Sequence, residues 1–86
     1  MQSLDITAEI RSFVITNFLY GQADELSNND SLLENGFIDS TGVLELVSFL
    51  QDRFDIQVED DEVIPANLDS IRYLVDYVVR KTNSRV

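Results

Sequence analysis

The residues best suited to chemistry stand together at Asp39-Ser40-Thr41-Gly42, where an apolar helical periodicity begins. A serine at such a corner is most simply a helix N-cap, its oxygen accepting an unpaired amide of the first turn. The same corner also suits a phosphoester, because first-turn amides and the helix dipole favour added negative charge. Gly42 departs from a plain cap: a glycine in the first turn lowers helix stability and removes a side chain beside Ser40. From the residues alone, Ser40 reads as a cap or as a modified hydroxyl, the cap being the simpler.

Most other chemistry is excluded by what the 86 residues lack. Histidine and cysteine are both absent, which rules out an imidazole base, a thiolate nucleophile, a Ser-His-Asp triad, a cysteine-rich zinc site and a disulfide. Asp24/Glu25 and Glu59/Asp60 are neighbouring carboxylates, but nothing in the pattern sets either pair in a cleft. Asp60-Asp61-Glu62 lacks the spacing of a calcium-binding helix-loop-helix module. Neither a metal site nor an enzyme in its own right is expected.

Charge narrows the partners. Sixteen acids against six bases give a formal net charge of −10, a field that repels nucleic-acid phosphates and anionic membrane surfaces. Residues 55–71 carry six acids and no base, whereas residues 72–86 carry one acid and four bases. Basic partner surfaces should therefore find the middle of the chain. No stretch approaches bilayer-spanning length, and residues 1–20 lack a basic segment followed by an apolar run, so a cytoplasmic monomer without membrane insertion is expected.

Three principal helices must position these groups. In the first, Ile6, Ile10, Phe13, Val14 and Phe18 recur at helical spacing, with Asp5 or Thr7 as cap and Gly21 as stop. Residues 21–39 read as a long ordered loop pinned by Leu26, Leu32, Leu33, Phe37 and Ile38. The second helix runs from Ser40 to about Arg53, with Val43, Leu46, Val47, Leu50 and then Phe54 on one face and Glu45, Ser48 and Asp52 opposite. Leu44 lies at the edge of that stripe, where peripheral core is the simpler reading.

Val58, Val63 and Ile64 would anchor a short third helix ending near Pro65. A last helix from Asp69 or Ser70 to about Lys81 turns Ile71, Leu74, Val75 and Val78 inward, with Arg80, Lys81 and Arg85 suiting its C-terminal end. The tail from about Thr82 should fray. The expected fold is all-α: one domain over residues 1–86, a four-helix bundle with a short third helix and a long first loop.

The stretch from Leu32 to Val63, LLENGFIDSTGVLELVSFLQDRFDIQVEDDEV, resembles the central half of the acyl carrier protein family. An upstream Leu-Leu-x-x-Gly, the Asp-Ser pair, a following V-x-E-L-V, an aromatic near the helix end and an acidic segment beyond it come in the family's order. The outer helices fit by length and pattern rather than by motif. This resemblance implies that a phosphopantetheinyl transferase attaches 4'-phosphopantetheine from coenzyme A to Ser40, with Asp39 positioning the serine and the transferase's magnesium ion. It implies that the arm's thiol holds acyl or aminoacyl cargo as a thioester for partner enzymes: acyltransferases, synthases or an acyl or amino acid ligase with basic docking patches. Thr41, Leu44, Glu45, Ser48, Asp52, Asp60 and Asp61 fall at or near the family's docking positions. Thr41, Gly42 and Ser48 depart from the fatty-acid pattern, and Asp-Ser-x-Gly looks more like D-alanyl carriers and stand-alone carriers loaded by AMP-forming ligases. A dedicated biosynthetic pathway is thus expected ahead of housekeeping fatty acid synthesis, and both ahead of an acidic helical interaction module that has Ser40 only as a cap and bears no prosthetic group.

Overall fold

A computed structural model describes the backbone of residues 3–19 and 26–83. Among these residues, four α-helices and one 3₁₀ turn follow in order: α1 (Ser3–Phe18), α2 (Ser40–Phe54), the turn (Asp60–Glu62), α3 (Pro65–Leu68) and α4 (Ile71–Asn83). The all-α bundle expected from the periodicities is present, with no strand among the described residues.

In α1, Ile6, Ile10 and Val14 are fully buried, one turn apart along a single line facing α4. The helix begins at Ser3, so Asp5 and Thr7 lie within it instead of capping it. Gly21, the expected stop, falls outside the described residues, as do Asp24 and Glu25. Leu26, Leu32 and Ile38 pin the connection as expected, but Leu33 is 43% exposed and does not.

The start of α2 corrects the simplest reading of Ser40. Asp39, not Ser40, is the N-cap: its backbone is extended (φ −116°, ψ −172°), and its Oδ1 accepts the Gly42 N–H at 2.8 Å. A carboxylate there satisfies a first-turn amide and meets the positive end of the helix dipole, so the serine is left as the first helical residue. Leu46, Leu50 and Phe54 form the buried stripe, flanked by the half-buried Val43 and Val47. The helix stops where Asp55 turns left-handed at φ 55°. Ile56 is then buried and Val58 partly so, and the Val58 N–H donates to the Gln51 side chain at 3.0 Å.

Gly42 owes its identity to packing. A Cβ at this position would sit 2.7 Å from Ile38 Cγ1 and 3.0 Å from Phe18 Cε1. Gly42→Ala should therefore lower stability by about 1 kcal/mol, because overpacking outweighs alanine's better helix propensity. Urea unfolding of the variant measures this; a stabilised variant would mean that Ile38 and Phe18 give way without cost.

Pro65 opens α3 and does not close a preceding helix, since its missing N–H costs nothing at the first helical position and its φ is already helical. Leu68 is the buried anchor of this segment, while Val63 and Ile64 are 37% and 44% exposed. In α4, the Ser70 Oγ accepts the Tyr73 N–H at 3.1 Å near the helix start, and Ile71, Leu74 and Val78 face the core with Val75 half-buried. Tyr77, absent from the expected stripe, is also buried. The helix continues through Asn83, beyond the expected fraying point at Thr82, and Arg85 falls outside the described residues.

Candidate functional site

Ser40 stands at the exposed start of α2, and its hydroxyl has no hydrogen-bond partner among the described residues. Capping by Asp39 is what releases it. Thr41 is exposed on the next position, and Leu44, one turn after Ser40, is 69% exposed, which overturns its peripheral-core reading.

Glu45, Ser48 and Asp52 continue along the outside of α2 and border a groove against α1. Phe13 of α1 and Phe49 of α2 stack across the floor of this groove, centroids 4.1 Å apart and planes 14° from parallel. Phe18 meets Phe13 edge-on, and Phe54 meets Phe49 in the same way, so four rings run in a row between the helices. Arg53 forms an ion pair with Glu9 of α1 at this groove.

Asp60 and Asp61 are exposed in the 3₁₀ turn and do not share that groove. Their neighbour Glu62 turns back into the protein instead: one oxygen, Oε1, accepts the Glu59 N–H at 3.0 Å, the Lys81 ammonium at 2.9 Å and the Tyr77 hydroxyl at 3.1 Å. The Glu59 amide first, and Lys81 next, hold the Glu62 carboxyl below its ordinary range. Burial and the facing carboxylate push the Tyr77 phenol well above its ordinary value. Arg80 reaches Asn67 Oδ1 at 2.9 Å, so two of the basic residues of α4 serve to tether the segment between α2 and α4.

Asp69 is a structural clamp that helical spacing alone does not reveal. Its Oδ2 accepts the Ser31 hydroxyl at 2.6 Å, its Oδ1 accepts the Leu33 N–H at 3.0 Å, and its carbonyl accepts the Leu32 N–H at 2.6 Å. The first loop is thereby tied to the α3–α4 junction. Between them lies an apolar cavity of about 70 Å³ bordered by Leu33, Ile38, Val43, Val63, Ile64 and Leu68. Ile38 and Val43 bracket Ser40 in the chain, so this cavity opens beside the start of α2. Among the described residues, no three carboxylates gather into a metal-holding group, and no helix is long and apolar enough to cross a membrane.

No protein-family model matches the chain. Two curated proteins do, at low identity but over most of their length. One is a probable acyl carrier protein, PigG, of a Serratia species, 28% identical over 75 residues that make up 87% of this chain and 86% of the relative. The other is an acyl carrier protein of Buchnera aphidicola, 26% identical over 68 residues, 79% of this chain and 84% of the relative. Both point to the acyl carrier proteins. With the helical bundle, they support a general acyl-carrier assignment that extends beyond the central motif to the outer helices, without singling out a subtype.

Proposed function

We propose that the protein carries acyl or aminoacyl intermediates of a dedicated biosynthetic pathway on a 4'-phosphopantetheine group attached to Ser40. The observation that carries this reading is the division of labour at the start of α2: Asp39 satisfies the first turn, and the Ser40 hydroxyl stands exposed and uncommitted. The residues fit the group. A phosphoester on Ser40 meets no covering side chain, and the N-terminal end of a 15-residue helix favours its charge. When bound, the group supplies a terminal thiol that takes cargo as a thioester, the chemistry a chain without cysteine cannot supply itself.

The chain's own residues orient and dock. Asp39 fixes the serine at the head of the helix, and its second carboxylate oxygen has no hydrogen bond among the described residues, free to meet the magnesium ion of a phosphopantetheinyl transferase. Thr41 and Leu44 offer contacts nearest the attachment point; Glu45, Ser48 and Asp52 lie further along the same helix, and Asp60 and Asp61 on the turn beyond. Such a surface suits brief encounters with basic enzymes of the cytoplasm, a ligase, acyltransferase or synthase. Intact mass after incubation with coenzyme A, magnesium and a transferase tests the attachment: one added phosphopantetheine mapping to Ser40 supports it, and a group on Ser31, Ser48 or Ser70 overturns it.

Cargo class follows from the exposed residues around Ser40. Thr41 and Ser48 present hydroxyls where a partner pocket shaped for apolar side chains would leave them unpaired, at a desolvation cost. The holo protein should thus be charged faster by an ATP-dependent acyl or amino acid ligase than by a housekeeping malonyl transferase. The difference is one of relative rate, because single contacts seldom discriminate absolutely. A competition assay read by intact mass decides; malonylation at the rate of an authentic fatty-acid carrier would assign the chain to fatty acid synthesis.

A further inference from the structure

Two sets of contacts meet at Gly42, and both lead back to Ser40. The Gly42 N–H donates to Asp39 Oδ1 at 2.8 Å, which fixes the carboxylate that precedes the serine. The bare Cα receives Ile38 and Phe18: a Cβ would lie 2.7 Å from Ile38 Cγ1, 3.0 Å from Phe18 Cε1 and 3.4 Å from Asp39 Oδ1 itself. Ile38 has little freedom to retreat. It is 7% exposed, and its N–H and that of Phe37 both donate to the Leu32 carbonyl, at 3.3 and 2.9 Å. Phe18 is backed by Phe13, edge-on with centroids 5.8 Å apart. A methyl at position 42 would thus press on side chains already held from behind, and dense interiors absorb such overlap only by shifting the backbone or forcing rotamers. Ile38 is joined directly to Asp39, so the shift passes along the chain to the cap and the serine.

We propose that Gly42 is a positioning residue for the loading of Ser40: its bare Cα lets Ile38 and Phe18 seat the first turn of α2, and this seat holds Asp39 and the Ser40 hydroxyl in the relation that transfer needs. The proposal rests on the attachment reading. It goes beyond that reading by placing control of the geometry on the buried side of the helix, where Gly42 meets no partner. In the transfer, a bond forms between Ser40 Oγ and phosphorus, the pyrophosphate bond of coenzyme A breaks with the adenosine bisphosphate as leaving group, and the hydroxyl proton passes to the transferase. Such a displacement is sensitive to the placing of its attacking oxygen. The exposed Leu44, Glu45 and Asp52 lie further along α2, outside the seat. A side chain at position 42 therefore acts on the transfer step and leaves recognition of the protein intact.

The test loads the full chain with coenzyme A, magnesium and a phosphopantetheinyl transferase and reads the product by intact mass. Gly42→Ala should lower kcat roughly tenfold and leave KM for the protein unchanged. Ile38→Ala alone should also slow loading, because it empties the seat. Placed in the Gly42→Ala background it should speed loading, since the added methyl then takes space that Ile38 gives up. If that pair does not fold, Phe18→Leu in the same background relieves the other contact and should recover part of the rate. Val78→Ala opens a cavity at a fully buried position of α4 outside the seat and should load as the parent does, which separates positioning from lost stability. Urea curves verify that each variant is folded in the assay. Without any transferase, the amide at position 42 of Gly42→Ala should lose hydrogen-exchange protection while that of Leu46 keeps it. An unchanged kcat, a rise in KM alone, paired variants no faster than Gly42→Ala, slow loading of Val78→Ala, or undiminished protection at position 42 would each overturn the proposal. A parent that takes no group overturns the attachment reading instead, and the exchange measurement still decides the seat.

Discussion

Ser40→Ala is expected to abolish addition of phosphopantetheine and to leave the bundle as stable as the parent. Loading needs the hydroxyl oxygen as the atom that receives the phosphoryl group, and no neighbouring residue offers a substitute at the head of α2: Thr41 is one position on around the helix, and Asp39 is engaged with the Gly42 amide. Stability should hold because the Ser40 hydroxyl bonds to nothing among the described residues and alanine is at least as good a helix former. Asp39→Ala makes the opposite trade. It removes the cap and should cost about 1 kcal/mol, while the Ser40 hydroxyl remains for the transferase. Intact mass and urea unfolding of both variants separate the two roles. A Ser40→Ala protein that still gains the group, or that loses as much stability as Asp39→Ala, would refute the assignment of acceptor and cap to different residues.

That division of roles marks where sequence reasoning reaches its limit. Aspartate and serine are almost equal as N-caps, so two such residues in succession leave the start of a helix undetermined by one position. The backbone angles at Asp39 resolve it. The long helices were legible because their apolar residues repeat with the helical period, as in Ile6, Ile10 and Val14. The short segment was not: Pro65 is compatible with the end of one helix or the first turn of another, and four residues carry too little periodicity to choose.

The site divides in the same way. That Ser40 stands at the head of a helix was readable because the apolar periodicity begins there, and the exposure of Glu45, Ser48 and Asp52 follows from their position opposite the apolar stripe. Leu44 was ambiguous because a residue at the edge of a stripe is buried or bare according to what packs beside it, here nothing that covers it. The Phe13–Phe49 stack joins residues of two helices whose register along each other no local pattern records. Glu62 and Asp69 looked like members of a uniform acidic run, yet each is consumed by contacts across the fold. Net charge therefore overstates the acidic surface left for partners.

Asp69→Ala is expected to give the largest loss of stability among the polar substitutions considered, about 2 kcal/mol. The two side-chain bonds join segments 36 and 38 residues apart, so they close a long loop that apolar contacts of Leu26, Leu32 and Ile38 otherwise hold. Hydrogen bonds to a charged acceptor exceed neutral ones, but Leu33 is exposed, and water replaces part of what its amide loses. For a domain of this size, a loss of that order is a large share of total stability. Asp69→Asn keeps one amide oxygen as acceptor and should fall between parent and alanine. Loss of the clamp also frees the Leu33 wall of the cavity beside Ser40, so amide exchange at Leu33 should quicken more than at Leu46 in the core. Equal unfolding midpoints for parent and Asp69→Ala, or exchange that rises uniformly through the bundle, would show that the loop is held by its apolar residues alone.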